Sequence, residues 1–224
     1  MPHPPWIIGH RGVPTRRAEN SLDGFALAIE LGADGIELDV HATRDGVVVV
    51  HHDPALRDGR AIAAHGLAEL QRHRGASELL PTLADVLSLA LGRAAVFVEI
   101  KGRDIEALVV AEVLRSAARC AIHSFDHRAI RRVRELAPSL PTGILQSSRL
   151  VRTSDAMHAA GAGTLWQSGD LVDRDLVDEV HAVGGSVIAW TVNDASAMRR
   201  LAALGVSGIC TDDVELARSV LRDG

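Results

Sequence analysis

The chain has 224 residues, of which 47% are hydrophobic and 24% are charged, and this composition suits a folded protein rather than a disordered one. Its formal net charge of −5 predicts no basic surface of the kind that binds nucleic acid. The sequence contains no run of about 18 apolar residues, so we expect no segment that crosses a membrane.

The first fifty residues predict a strand, a helix and a pair of strands. A short apolar run predicts the first strand at 6–10. Ser21 has the residue type of a helix N-cap, and the amphipathic helix that follows it is expected to end near Gly32. A second strand is expected at 35–43. The turn residues after it predict that a short strand at 47–51 folds back as a hairpin.

The remainder alternates short strands with helices. Residues 57–80 are polar and irregular, and we expect a loop there with a short helix near 67–73. Further strands are expected at 94–100, 120–124, 142–146, 163–167, 186–191 and 207–211. Further helices are expected at 83–91, 104–118, 128–136, 154–160, 174–183, 195–204 and 214–222.

Regular alternation of this kind predicts a parallel sheet whose faces are covered by helices. Eight core strands in a chain of this length favour a closed (β/α)₈ barrel of the TIM type, with one extra hairpin strand after strand two. Because no break in composition marks a boundary, we expect residues 1–224 to form a single domain. Active sites of such barrels lie at the carboxyl ends of the strands, so polar residues at those ends are the candidates for chemistry.

Three carboxylates are expected to meet at this end of the barrel. Glu37 and Asp39 lie two residues apart on the second strand, so both point to the same side, and Glu99 and Lys101 share a side of the next core strand. Burying three carboxylates is costly unless a cation compensates them. Oxygen ligands suit Mg²⁺ or Ca²⁺, whereas zinc favours His or Cys. The sequence therefore predicts one divalent cation on Glu37, Asp39 and Glu99; the alternative is that each carboxylate pairs with an arginine or caps a helix.

Two of the 11 histidines stand at strand ends beside these acidic residues. His10 ends the first strand and His52 follows the hairpin. A pair of histidines can supply a general base and a general acid for displacement at phosphorus, and the sequence leaves open which histidine has which role. Arg11 and Lys101 add positive charge for an anionic substrate. Together these residues predict a metal-assisted phosphotransfer or hydrolysis site.

Several short motifs occur in a fixed order along the chain. They are His10-Arg11-Gly12, Ala18-Glu19-Asn20-Ser21, GADGIELDV at 32–40, TRDG at 43–46, His52-Asp53, PTL at 81–83 and VEIK at 98–101, with weaker matches at 124–125, 189–193 and 211–212. As an ordered set they resemble the glycerophosphodiester phosphodiesterase family over essentially the whole chain.

The resemblance implies a metal-dependent (β/α)₈ barrel enzyme that splits glycerophosphodiesters into glycerol 3-phosphate and an alcohol. It implies that the glycerol 2-hydroxyl is the internal nucleophile and forms a cyclic phosphate that water then opens. The residues that it places in the site are the acid/base pair His10 and His52, the metal ligands Glu37, Asp39 and Glu99, the phosphate or metal-site cations Arg11 and Lys101, and the supporting acids Glu19 and Asp53. Trp190 is expected against the glycerol carbons or the head group, with ordinary barrel core as its alternative.

The segment from His52 to Glu99 is shorter than is usual in that family, so the resemblance leaves the leaving alcohol open. Two other functions also stay open. One is a lysophospholipase D or phosphoinositide phospholipase that uses the same chemistry, for which a larger apolar rim is expected. The other is a non-catalytic barrel that binds phosphodiesters, which would be expected to lack a histidine or a carboxylate of the set. No oligomeric state is predicted.

Cys120 and Cys210 lie in apolar runs without the spacing of metal ligands. The N-terminal residues do not show a basic segment followed by a long apolar one, so we expect no signal peptide. Both features predict reduced thiols and a cytoplasmic location.

Overall fold

The computed structural model describes residues 4–72 and 79–222, and within them strands alternate with helices. The strands are β1 (Trp6–His10), β2 (Gly35–Ala42), β3 (Val48–Val50), β4 (Ala95–Ile100), β5 (Cys120–Ser124), β6 (Thr142–Gln146), β7 (Thr164–Ser168), β8 (Ser186–Trp190) and β9 (Gly208–Thr211). The α-helices are α1 (Leu22–Glu30), α2 (Leu67–Gln71), α3 (Leu83–Ala90), α4 (Glu106–Arg115), α5 (His127–Leu136), α6 (Thr153–Ala160), α7 (Arg174–Ala182), α8 (Ala195–Leu204) and α9 (Val214–Leu221).

Eight strands pair in parallel and close into a ring, because β1 is hydrogen-bonded both to β2 and to β9. The remaining strand, β3, is antiparallel to β2 and lies outside the ring. The predicted (β/α)₈ barrel with a hairpin strand after strand two is therefore confirmed. Within the described part of the chain, no helix combines the length and the apolarity that crossing a bilayer requires.

Two predicted elements differ from the structure. The helix expected at 104–118 is shorter, because Asp104 has a left-handed φ of 55° and Ser116 is extended, and neither conformation continues a helix. Residues 57–72, where a loop with the start of a short helix was expected, also contain a 3₁₀ turn at Ile62–Ala64. The short helix near 67–73 is present as α2, while residues 73–78 lie outside the described residues. Ile62 and Leu70 are fully buried there and form a small apolar cluster beside β3.

Several helices that follow the strands are held at their starts by side-chain caps. Ser21 accepts a hydrogen bond from the Gly24 amide at 3.1 Å, as its position before the first helix predicts. Aspartates do the same at the starts of four later helices: Asp126, Asp173, Asp194 and Asp213. Each cap satisfies an otherwise unpaired backbone N–H in the first turn of its helix and so fixes where the loop after the strand ends.

The barrel interior below the strand ends is filled by apolar side chains. Its members are Ile8, Leu145, Trp166, Ile188 and Cys210, with Phe97 and Trp190 packed against them. Phe97 meets Trp166 edge to face, with the ring centroids 5.3 Å apart. This layer closes the barrel beneath the strand ends, so polar groups above it are desolvated from one side.

Candidate active site

A pocket of about 160 Å³ opens at the carboxyl ends of the strands. Seven of the residues predicted for the site line it: His10, Arg11, Glu37, His52, Glu99, Lys101 and Trp190. The other lining residues are His123, Phe125, Leu145, Trp166 and Cys210. Asp39 lies fully buried, whereas Glu19 and Asp53 are exposed at the rim.

The first loop folds tightly over the pocket because its backbone includes left-handed conformations. Arg11 has a φ of 51°, which costs free energy for a residue with a side chain. Gly12 has a φ of 92°, and a Cβ on it would lie 2.7 Å from the backbone carbon of Gly24. The resulting turn brings the Arg11 amide to Glu37, where it donates to Oε2 at 3.3 Å. The glycine in this motif is therefore required by the close approach of α1.

Three buried carboxylates form the acidic cluster of the pocket, namely Glu37, Asp39 and Glu99. Asp39 and Glu99 are opposite each other in the β2–β4 register, which explains why residues 60 positions apart meet. Asp39 is held by cations: its Oδ2 lies 3.0 Å from Arg11 Nε, and its Oδ1 lies 3.5 Å from Lys101 Nζ. Lys101 Nζ also lies 3.2 Å from Glu99 Oε1.

The electrostatics of the acidic cluster leave it short of positive charge. Burial and the neighbouring Asp39 raise the pKa of Glu37 to about 7, and the same two causes raise the pKa of Glu99 to about 7. Burial also opposes ionisation of Asp39, but Arg11 and Lys101 outweigh it and lower the pKa of that carboxyl. Glu37 and Glu99 would therefore be stabilised as carboxylates by a further cation.

The donor atoms fit such a cation. Within the described residues, one ligand atom each from Glu37, Glu99 and His123 lie within 4.8 Å of one another. Asp39 lies beside this group of three; Arg11 and Lys101 pair with its oxygens, and Asn20 Nδ2 donates to Oδ2 at 2.9 Å. The structure thus places all three predicted carboxylates in one buried cluster and adds a histidine to it.

His10 is oriented by a chain of hydrogen bonds from β9 and β8. Its Nδ1 lies 2.7 Å from Asp212 Oδ1, and Asn193 Nδ2 donates to the other oxygen of Asp212 at 2.6 Å. These two hydrogen bonds outweigh burial and lower the pKa of Asp212, so this carboxylate accepts and His10 Nδ1 donates. Burial alone would lower the pKa of His10, but Asp212 and Glu37 raise it. The arrangement leaves Nε2 of His10 for proton exchange.

His52 has a similar but more exposed partner. Its Nδ1 lies 2.8 Å from Oδ1 of the adjacent Asp53, whose side chain is 70% exposed. His41 Nε2 lies 3.1 Å from the carbonyl oxygen of His52 and fixes the backbone there. Both predicted histidines therefore have a carboxylate on Nδ1, but only that of His10 is partly buried.

Glu19 and Trp190 occupy the edges of the pocket. Glu19 accepts a hydrogen bond from Arg11 at 3.0 Å and so holds the arginine beside the acidic cluster. Trp190 meets Phe125 edge to face, with the centroids 5.5 Å apart. Its indole N–H is buried and has no hydrogen-bond partner among residues 4–72 and 79–222.

Three contributors to the site were not predicted from the sequence: Asn20, His123 and Asp212. Asn20 lies within the motif after the first strand, and its left-handed φ of 55° aims the amide at Asp39. Asp212 follows the last strand, where the barrel rule selects polar residues. His123 lies in an apolar strand, and a polar residue in such a strand is the signal that could have identified it.

Comparison with known proteins identifies the relatives of the chain. The model of the glycerophosphoryl diester phosphodiesterase family matches residues 10–216. A glycerophosphodiester phosphodiesterase from Caldanaerobacter subterraneus subsp. tengcongensis is 32% identical over 240 residues, covering 97% of this chain and 98% of the relative.

Solved structures show the same barrel. A glycerophosphodiester phosphodiesterase from Parabacteroides distasonis ATCC 8503 superposes with a TM-score of 0.87 at 27% identity, over 100% of this chain and 99% of that one. A phosphodiesterase from Oleispira antarctica, solved with the product sn-glycerol 3-phosphate, has a TM-score of 0.88 at 24% identity, covering 99% of this chain and 98% of that one. At that identity the second likeness concerns the fold.

Proposed function

Because the chain belongs to the glycerophosphoryl diester phosphodiesterase family, we propose that it hydrolyses glycerophosphodiesters to glycerol 3-phosphate and an alcohol. The observation that supports this most strongly is the pocket in which His10 and His52 line the same small space as Glu37 and Glu99. Hydrolysis of a phosphodiester is accelerated by a general base, a general acid and positive charge beside the phosphoryl oxygens. The histidines of this pocket can supply the first two, and its cationic side chains can supply the third.

The proposed phosphate-binding groups are the two cationic side chains of the pocket, Arg11 and Lys101, and the indole of Trp190. Arg11 and Lys101 line the pocket while pairing with the acidic cluster, so each can turn hydrogen-bond donors towards an anion. The buried Trp190 N–H supplies a further donor. Glu19 supports the same role indirectly, because it holds the Arg11 guanidinium in place.

The two histidines exchange protons with the substrate. One of them takes the proton of the attacking hydroxyl, which in the proposed first step is the glycerol 2-hydroxyl, as its oxygen bonds to phosphorus. The other gives a proton to the oxygen of the departing alcohol as the phosphorus–oxygen bond breaks. Water then opens the cyclic phosphate with the two roles reversed. Asp212 and Asp53 accept hydrogen bonds from Nδ1 of His10 and of His52, which leaves Nε2 of each ring for this exchange.

The cation site belongs to the acidic cluster. Glu37, Asp39 and Glu99 would hold one divalent cation, for which Mg²⁺ and Ca²⁺ are the choices suited to oxygen ligands. When bound, such an ion stabilises negative charge on the phosphoryl oxygens. The raised pKa values of Glu37 and Glu99 support the proposal, because they reflect buried carboxylates without enough positive charge nearby.

A metal-by-substrate screen of the purified protein tests the proposal. Glycerophosphocholine, glycerophosphoethanolamine and glycerophosphoinositol are incubated with EDTA, Mg²⁺ or Ca²⁺, and a lysophospholipid is included as a separate arm. We expect glycerol 3-phosphate from at least one water-soluble diester, no turnover in EDTA, and loss of turnover in His10→Ala and in His52→Ala. The exposed His158→Ala serves as the matched control and should keep full activity.

Activity on the lysophospholipid alone would shift the assignment to the lipid-cleaving alternative. Full activity in either histidine variant would refute the catalytic role of the histidine that was replaced. Turnover in EDTA would refute the requirement for a divalent cation. Three other expectations stay predictions: a single domain over residues 1–224, a cytoplasmic location and the absence of a nucleic-acid partner.

A further inference from the structure

His123 occupies a position beside the acidic cluster that its ordinary role as a core residue does not explain. It lies opposite Glu99 in the β4–β5 register, and only 1% of its surface is exposed. Its Nε2 lies 3.7 Å from Glu37 Oε1. The register therefore points the imidazole into the barrel at the level of the two carboxylates.

One face of the His123 ring packs on an aromatic side chain, and one of the two ring nitrogens lacks a hydrogen-bond partner among the described residues. The ring stacks on Trp166, with the centroids 4.2 Å apart and the planes 7° apart. Its Nδ1 is buried and has no hydrogen-bond partner in the part of the chain that the structure describes. An unpaired polar nitrogen in a buried position is costly, and an apolar ring would fill the same space without that cost.

The spacing of the three donor groups fits a single ion. Ligand atoms of Glu37, Glu99 and His123 lie within 4.8 Å of one another. Three ligands spread evenly in one plane at about 2.0–2.2 Å from an ion lie about 3.5–3.8 Å apart, so shifts of about 1 Å or less would bring the group onto one ion. The 3.7 Å between His123 Nε2 and Glu37 Oε1 already falls in that range.

We propose that His123 is a nitrogen ligand of the cation that the acidic cluster would hold, and that it makes this site favour a first-row transition ion such as Mn²⁺ over Mg²⁺ and Ca²⁺. This inference rests on the cation site of the proposed function and alters its expected metal. Imidazole binds transition ions well and contributes little to Mg²⁺ or Ca²⁺, which take oxygen ligands. An imidazole that joins the carboxylates therefore shifts the metal preference of the site towards transition ions.

Metal binding by the full chain, measured without substrate, tests the assignment. EDTA-treated protein is titrated calorimetrically with Mn²⁺ and with Mg²⁺, for the wild type, His123→Phe and His123→Gln. The Phe variant keeps a planar ring against Trp166 and lacks the nitrogen, and the Gln variant is polar. Pulsed electron paramagnetic resonance of bound Mn²⁺ reports directly on coupling to a nitrogen ligand. Thermal unfolding in EDTA shows which variants are folded.

The wild type should bind Mn²⁺ at least ~10-fold more tightly than Mg²⁺, and removal of the imidazole should weaken Mn²⁺ binding at least ~10-fold while leaving Mg²⁺ within ~3-fold. The nitrogen coupling should be present in the wild type and absent from both variants. Mn²⁺ preference and nitrogen coupling that persist in a folded His123 variant would overturn the proposal, as would a wild type that prefers Mg²⁺.

Glu37→Gln separates this inference from the proposed function. If Glu37→Gln loses both ions while the His123 variants bind Mn²⁺ like the wild type, the carboxylate site stands and the histidine ligand is refuted. If the wild type binds neither ion, the cation of the proposed function and the histidine ligand are both refuted.

Discussion

Replacing Asp212 with asparagine should slow the enzyme without unfolding it. The Asp212 carboxylate accepts a hydrogen bond from His10 Nδ1 at 2.7 Å and is itself held by Asn193 at 2.6 Å. An asparagine of the same shape either offers an N–H to Nδ1, which favours the wrong tautomer, or offers a weaker carbonyl acceptor. In the first case Nε2 of His10 carries the wrong proton for exchange with the substrate, and in the second the ring is held less firmly.

The expected size of the effect follows from the hydrogen bond that is lost. A hydrogen bond to a charged group contributes about 1.5–3 kcal/mol. Since about 1.4 kcal/mol corresponds to a tenfold change in rate, kcat should fall by roughly 10- to 150-fold. Asp53 makes the matching contact to His52 at 2.8 Å, but its side chain is 70% exposed. Asp53→Asn should therefore reduce kcat by less than about fivefold.

Steady-state kinetics on a water-soluble glycerophosphodiester over a range of pH measures both effects. Asp212 raises the pKa of His10 in the wild type, so the limb of the pH–rate profile that reports His10 should move to lower pH in Asp212→Asn. Circular dichroism should show an unchanged fold. The reasoning is refuted if Asp212→Asn keeps kcat within threefold of the wild type with an unshifted profile, or if Asp53→Asn is impaired as strongly.

Three further predictions follow from the pocket and its loop. Trp190→Phe keeps an aromatic ring and removes the buried N–H, so kcat/KM should fall by about 2- to 10-fold, as measured by steady-state kinetics. Gly12→Ala places a Cβ 2.7 Å from backbone and should lower the free energy of unfolding in urea by roughly 3 kcal/mol or more. The control Gly59→Ala, also at positive φ but with nothing within 4 Å, should cost about 1–2 kcal/mol. Glu37 and Glu99 have pKa values raised to about 7, so the metal-free folded state binds more protons than the unfolded chain. The free energy of unfolding in EDTA should therefore fall as pH rises from about 5 to about 7.5.

Each of these has a contradicting result. Unchanged kcat/KM in Trp190→Phe would mean that the indole N–H does not meet the substrate. Equal costs in Gly12→Ala and Gly59→Ala would mean that the approach of α1 does not matter. Stability in EDTA that rises between pH 5 and 7.5, or a slope that Glu37→Gln leaves unchanged, would contradict the raised pKa values of the acidic cluster.

The fold could be predicted from the sequence because each of its strands is a short apolar run bounded by turn or cap residues. The bounds of β1, β5 and β6 were predicted without error, and Ser21 caps α1 as its residue type indicates. Errors arose where the local pattern is ambiguous. The helix α4 is shorter than its apolar periodicity suggests, because the left-handed Asp104 is a backbone feature that no periodicity reveals.

The candidate site could be predicted where a motif places two residues on one strand, as for Glu37 and Asp39. It could not be predicted where the partners come from distant strands. Asp212 meets His10 from 202 positions away, because β9 closes the ring against β1. His123 joins the acidic cluster only through the β4–β5 register. Contacts of this kind depend on barrel closure and register, which short sequence patterns do not specify.

The most direct test of the proposed function is phosphorus NMR of glycerophosphocholine incubated with the purified protein and a divalent cation. We predict that the diester resonance is replaced by that of glycerol 3-phosphate, and that this conversion stops in EDTA, in His10→Ala and in His52→Ala. A diester resonance that persists for every cation and head group tried, or a monoester that still forms in both histidine variants, would contradict the assignment of this pocket as a phosphodiesterase site.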